Sequence, residues 1–208
     1  MKLPFLSSFI ILCIILTINM RRVSRKVQEK EDNFWEKERE ANNVRKKSLD
    51  TLEYVHIPYD LLPFDTAGED EALLNSENNL RALKDSKIVN FTGISNTDLK
   101  LEYGTANITA LSEFDANYTV LVCELQTWGQ LLYDRGRFED SAKVLEFAVK
   151  TRTDITATYR LLIDMYKTKL GLSEEEISHK IDGLVPIAKS LNSLSRQQIL
   201  NLIEKAVS

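Results

Sequence analysis

Two histidines, two cysteines and one run of three glutamates are the side chains whose types could do chemistry in this chain. His56 and His179 stand in unrelated contexts. Neither has a cysteine, a second histidine or a carboxylate cluster at metal-ligand spacing. Zinc and other transition metals need three or four such donors converging, so no metal is expected. Cys123 falls on a segment with helical periodicity and no nearby histidine to deprotonate it, which makes it a buried structural thiol rather than a nucleophile. Cys13 lies in an apolar run, so the two cysteines are not expected to pair, and a reducing compartment fits them. Glu174, Glu175 and Glu176 follow Ser173. There they favour the positive end of a helix dipole more than an acid/base pair. No phosphate-binding glycine loop and no dinucleotide fingerprint occurs. The expectation is a protein that is not an enzyme and uses no cofactor.

Charge excludes another class. The 208 residues carry a formal net charge of −4 with 28% charged side chains, the balance of an ordinary soluble surface. No basic stripe suggests nucleic acid.

The segments that would position a binding surface begin with Leu3 to Met20, which has no charged residue. As a helix it would be about 27 Å long, close to the roughly 30 Å of a hydrocarbon core. Arg21, Arg22, Arg25 and Lys26 follow at once, and no small-residue cleavage site precedes them. An uncleaved anchor is expected over 1–20, with the chain beyond it on the cytoplasmic side of the cell membrane. Residues 21–50 are highly charged and lack proline and glycine, so a helical stalk is expected. Met20, Val27, Phe34 and Ala41 recur every seven residues, which leaves a stalk homodimer open, although Lys30 and Lys37 occupy the complementary seam.

Residues 51–115 change character. Pro58 and Pro63 among apolar side chains predict that Tyr54 to Phe64 lies as an extended strip against a helical domain. Glu71 to Lys84 has a helical pattern, and Thr97-Asp98 looks like the cap of a short helix ending near Gly104. Asn107 to Asp115 is expected to be a loop. Asn90, Asn107 and Asn117 each open an Asn-x-Thr sequon, which carries meaning only outside the cytoplasm.

Residues 116–208 hold the clearest pattern. Leu125, Trp128, Gly129 and Leu132 share one helix face. Arg135-Gly136 breaks the period, and Phe138, Ser141, Ala142, Leu145, Ala148 and Val149 resume it. Small residues at 129, 141 and 148 let two helix backbones approach closely. Tyr159 and Leu162 lie 34 residues after Leu125 and Trp128. Thr153-Asp154 is placed to cap the helix carrying Tyr159. Ser173 opens another helix, which Gly183 and Pro186 should kink or split. Ser195 to Val207 forms a closing amphipathic helix.

The stretch from Leu125 to Thr153 resembles a tetratricopeptide repeat, a 34-residue helix-turn-helix unit. Leu125 stands at the family's first large position, Trp128-Gly129 at its leucine-glycine pair and Leu132 at its tyrosine. Gly136 and Phe138 fill the turn, and Ser141, Leu145 and Ala148 the second-helix series. The usual tryptophan, tyrosine, alanine and closing proline are replaced, the proline by Thr153. The resemblance implies an all-α solenoid that binds a protein or peptide on a concave face lined by the first helix of each pair. Gln126, Gln130 and Tyr133 of the first repeat, with Arg160, Asp164 and Lys167 of the second, would meet that partner. The Tyr54 to Phe64 strip of the same chain could instead fill the groove.

Overall fold

The computed structural model describes residues 3–207, with side chains from Ser8 onward. Every regular element among them is helical. In chain order these are α1 (Leu3–Asn42), α2 (Glu71–Ala82), α3 (Asn96–Tyr103), a 3-10 turn (Thr105–Asn107), α4 (Ile108–Asp134), α5 (Phe138–Lys150), α6 (Thr156–Thr168), α7 (Glu174–Ser190) and α8 (Arg196–Val207). The all-α expectation therefore holds for the described residues. They form two compact units: the chain up to Lys47 with Ser95–Ile108, and Ser48–Ile94 with Thr109–Ser208.

In the first unit α1 continues through the expected stalk only as far as Asn42, since nothing between Val23 and Asn42 breaks a helix; residues 43–50 are not helical, which corrects the expectation there. Phe9, Ile10, Ile11 and Leu12 are all at least half exposed, although four successive residues cover most of a helical turn. Among the described residues no helix is long and apolar enough to cross a membrane. The expected anchor begins in the part of α1 whose side chains, residues 3–7, lie outside the described residues. Among the described side chains of α1, those of its last turns are the packed ones. Ala41 is fully buried, Lys37 pairs with Asp98 at 2.6 Å, and Glu38 takes Lys100 at 2.8 Å. Ser95 caps α3 by accepting from the Asp98 N–H.

The second unit has two apolar layers. Leu73 and Leu80 of α2, Leu121, Leu125, Trp128 and Leu132 of α4, and Val144 and Ala148 of α5 form one. Leu145 and Val149 of α5, Tyr159 and Leu162 of α6, Ile181 and Leu184 of α7, and Ile199 and Ile203 of α8 form the other. Alternate faces of α5 thus supply both layers. Val55, Ile57 and Phe64 of the strip pack against the first layer, with the Phe64 ring 4.8 Å from that of Trp128, but the strip is not extended throughout: it turns after Pro58, whose carbonyl accepts the Leu61 and Leu62 N–H groups at 3.0 and 3.2 Å.

Four further local expectations are corrected. Cys123 is exposed rather than buried, because it lies off the α4 stripe of Leu121, Leu125 and Trp128. Residues 108–115 are helical, not a loop. Leu111, Phe114 and Tyr118 are buried at i, i+3, i+7 and extend the stripe of α4 backward. Pro186 does not split α7, which is continuous from Glu174 to Ser190. Its missing N–H would have met the carbonyl of Asp182, and both residues are exposed to water. Asp154 does not cap α6: Ile155 is the boundary residue, and only Thr153 Oγ1 accepts its N–H, at 3.3 Å.

Candidate functional site

The α5 C-terminus determines where an open surface forms. Thr151 ends the helix and Arg152 adopts a left-handed conformation, φ 64°. The Arg152 N–H donates to the carbonyl of Val149 at 2.8 Å and the Thr153 N–H to that of Ala148 at 3.3 Å. This is the glycine-type helix stop with arginine in glycine's place. Asn90 fixes the turn from outside: its Nδ2 donates to the carbonyls of Thr151 at 3.2 Å and Arg152 at 3.3 Å. Tyr118 Oη fixes it from within, donating to the Thr151 carbonyl at 3.0 Å. Burial pushes the Tyr118 phenol far above its ordinary range, so it stays a donor.

A second close approach lies one turn further on. The backbone of Gly93, at φ 81°, runs so near Asn192 that any side chain at 93 would collide with the Asn192 carbonyl. Asn192 Nδ2 donates to the Gly93 carbonyl at 2.9 Å. Segment 88–94 is thereby laid across both the α5–α6 turn and the α7–α8 turn.

Three adjoining cavities open along that segment. One of about 320 Å³ lies between His56, Asn90, Phe147, Lys150 and Arg152. One of about 170 Å³ shares Asn90 and Arg152 and reaches Asn192. The third, about 820 Å³ and wide open, shares Thr92 and Asn192 and is bounded by Asp154, Leu194, Arg196 and Gln197. Together they make a groove with amide side chains along its floor, cations at both ends and a fully exposed Leu194 at its rim.

The six residues expected to face a partner occupy α4 and α6. Tyr133 Oη donates to Asp164 Oδ2 at 2.7 Å, and that hydrogen bond first, then burial, raises the Tyr133 phenol. Thr158 Oγ1 donates to Gln126 Oε1 at 2.6 Å, and Gln130 Nε2 to Asp134 Oδ1 at 2.8 Å. Tyr133, Asp164 and Gln126 thus tie α4 to α6. Arg160 and Lys167 are exposed. The structure brings three of the six into pairs that hold neighbouring helices together, and Gln130 pairs within α4.

The sequon asparagines are structural. Asn107 is buried, with Nδ2 donating to the carbonyls of Lys47 at 2.8 Å and Tyr103 at 2.7 Å. Asn117 Nδ2 donates to the Lys87 carbonyl at 3.0 Å. His56 is exposed in the groove and His179 is exposed on α7. Among the described residues no group of three metal-ligating side chains converges.

Arg152 and Asn192 escaped the sequence analysis. The usable signal for Arg152 was a helix stop at Lys150-Thr151 without a glycine. No signal in the sequence marked Asn192, whose partner is 99 residues away. No family model, no curated protein and no solved structure matches this chain.

Proposed function

We propose that this chain is a single-pass membrane protein whose tetratricopeptide-like helical domain recruits a protein or peptide to the inner face of the membrane. The groove along 88–94 is the observation that carries the binding part. It is concave, lined by fixed amides and cations, and crossed by a chain segment that cannot shift without breaking the Asn90 and Asn192 hydrogen bonds. The close approach of α4 and α5 at Gly129 supports the family resemblance. Ser141 Oγ donates to the Gly129 carbonyl at 2.7 Å, linking two positions that the repeat pattern keeps small. No catalytic step belongs to this reading.

The anchor rests on the uncharged run 3–20. Its described part is exposed all round, a surface that only a bilayer or a protein sleeve would cover. The four cations after it orient the domain toward the cytoplasm. Deleting residues 3–20 should move the chain from the membrane to the soluble fraction. Retention in the membrane would refute the anchor. For the groove, Thr92→Trp with Gln197→Trp should abolish partner capture by the full chain, and Glu175→Trp on α7 should not. Equal capture by both would refute the groove.

A homodimer through α1 is a second reading. Met20, Val23, Val27 and Phe34 are exposed along the stalk, whereas Ala41 in the same seam is covered by the chain itself. A cysteine at Phe34, in a chain whose Cys13 and Cys123 are serine, should crosslink in membranes under oxidation. No crosslink at native expression would exclude the stalk dimer.

A further inference from the structure

The exposed surface of α1 is not uniform. Residues four apart stack into rows along a helix. One row reads Phe9, Cys13, Thr17, Arg21, Arg25, and its neighbour reads Ile10, Ile14, Ile18, Arg22, Lys26. A shallow furrow of about 350 Å³ follows these rows from Phe9 and Ile10 to Arg21. At 1.5 Å per residue it is about 18 Å long. Cys13 and Thr17, its smaller members, keep it open. Thr17 Oγ1 donates to the Cys13 carbonyl at 2.7 Å, so the hydroxyl in the wall is already satisfied and the furrow suits an apolar occupant.

Both rows end in cations. Arg21, Arg22, Arg25 and Lys26 are exposed and take part in no ion pair among the described residues. No acidic residue precedes Glu29 in the chain. Arg21 with Arg25, and Arg22 with Lys26, are like charges at i, i+4, a spacing that sets them against each other on a helix. Orienting a chain across a membrane needs cations in number. It does not need a cluster of them in line with an apolar furrow.

We propose that this face of α1 holds an anionic phospholipid, with one acyl chain in the furrow and the phosphate among Arg21, Arg22, Arg25 and Lys26. The inference rests on the anchor reading and names the lipid that the anchor selects. Charge complementarity identifies the occupant. A second copy of α1 laid parallel in the furrow would set one unpaired cluster against another, and a neutral headgroup would leave the cluster unpaired. An anionic headgroup neutralises it while the acyl chain covers Cys13 and Thr17. Arginine suits the role, because its planar guanidinium offers a phosphate two parallel donors.

The full chain is reconstituted in phosphatidylcholine vesicles, which are floated on a density gradient. Trace spin-labelled phosphatidylglycerol or spin-labelled phosphatidylcholine is added to separate samples. Electron paramagnetic resonance then reads the fraction of each label that the protein immobilises. Phosphatidylglycerol should be preferred at least about threefold, since each cation at the surface attracts anionic lipid. Arg21→Gln, Arg22→Gln, Arg25→Gln and Lys26→Gln together should abolish the preference. Cys13→Phe with Thr17→Phe fills the furrow and keeps every cation, and it should remove most of the preference too. Full preference in the filled variant would mean that the cations act as a diffuse charged surface, and would overturn the site. Preference surviving the loss of the four cations, or equal immobilisation of the two lipids by the wild-type chain, would also overturn it. A chain that does not float with the vesicles would overturn the anchor and this inference together. A chain that floats without preference would leave the anchor standing, so the two failures are distinct.

Discussion

Leu145 occupies the space that a side chain at Gly129 would need: a Cβ built on Gly129 falls 2.4 Å from Leu145 Cδ2. Leu145 is fully buried in the second apolar layer and cannot swing into solvent. Helix propensity alone favours alanine over glycine by about 1 kcal/mol. Overpacking a filled core costs about 1–3 kcal/mol. Gly129→Ala should therefore destabilise the second unit by about 1 kcal/mol net. Leu145→Ala should cost about 2–5 kcal/mol through its cavity. The double variant should be more stable than the sum predicts, by at least about 0.5 kcal/mol. Urea unfolding of the four proteins measures this, and strict additivity would mean that the two residues do not meet.

Asn107 is expected to hold the first unit together. Its buried amide satisfies the carbonyls of Lys47 and Tyr103, and each such bond contributes about 0.5–1.5 kcal/mol. Asn107→Ala should speed amide exchange at Lys47, whose N–H donates to the Tyr103 carbonyl. Exchange in α7 and α8 should not change.

Acid should loosen the same unit. The hydrogen bond from Lys100 and then that from Thr97 hold Glu38 below the ordinary carboxylate range, and Lys37 and then Ser95 do the same for Asp98. A carboxylate with a depressed folded pKa adds stability above its unfolded pKa and loses it as pH falls through the folded one. Exchange at Lys47 and Gly104, corrected for intrinsic rates, should accelerate below about pH 4. Glu38→Gln with Asp98→Asn should remove that pH dependence.

Alkali should act on the second unit. Burial first raises the phenols of Tyr118, Tyr159 and Tyr166, with Asp154 adding to the effect at Tyr159 and Glu146 at Tyr166. Groups raised in the folded state give stability that is complete below the unfolded pKa, about 10, and is lost as pH rises through the folded one. Of the seven tyrosines, these three should ionise last, in step with loss of helical circular dichroism. Early, independent ionisation would show that they are accessible.

Much of the helical order was legible because periodicity and burial agree. Leu125, Trp128 and Leu132 follow a 3.6-residue stripe and are buried on it. Where polar residues interrupt the stripe, local composition misled. Asn107, Thr109 and Ser112 suggest a loop, yet Leu111, Phe114 and Tyr118 bury beneath them. Pro186 signals a break, but an exposed helix face tolerates the lost hydrogen bond because water takes the freed carbonyl. The groove was not legible at all. It arises from hydrogen bonds between residues 61 and 99 positions apart, Asn90 with Thr151 and Asn192 with Gly93. Periodicity carries no record of such pairings. The six groove candidates fall on α4 and α6. The pairing of Tyr133 with Asp164 was not foreseen, because it depends on the spacing between the two helices.

The groove's role is tested most directly by position-resolved photocrosslinking of the full chain in cells. A photoreactive residue replaces Leu194 at the groove rim, His56 at the cationic end, or Glu175 away from both. The account predicts protein or peptide adducts from 194 and 56 and none from 175, with the first two lost in the Thr92→Trp, Gln197→Trp background. Adducts from 175 as abundant as from the groove, or none from either groove position, would contradict it.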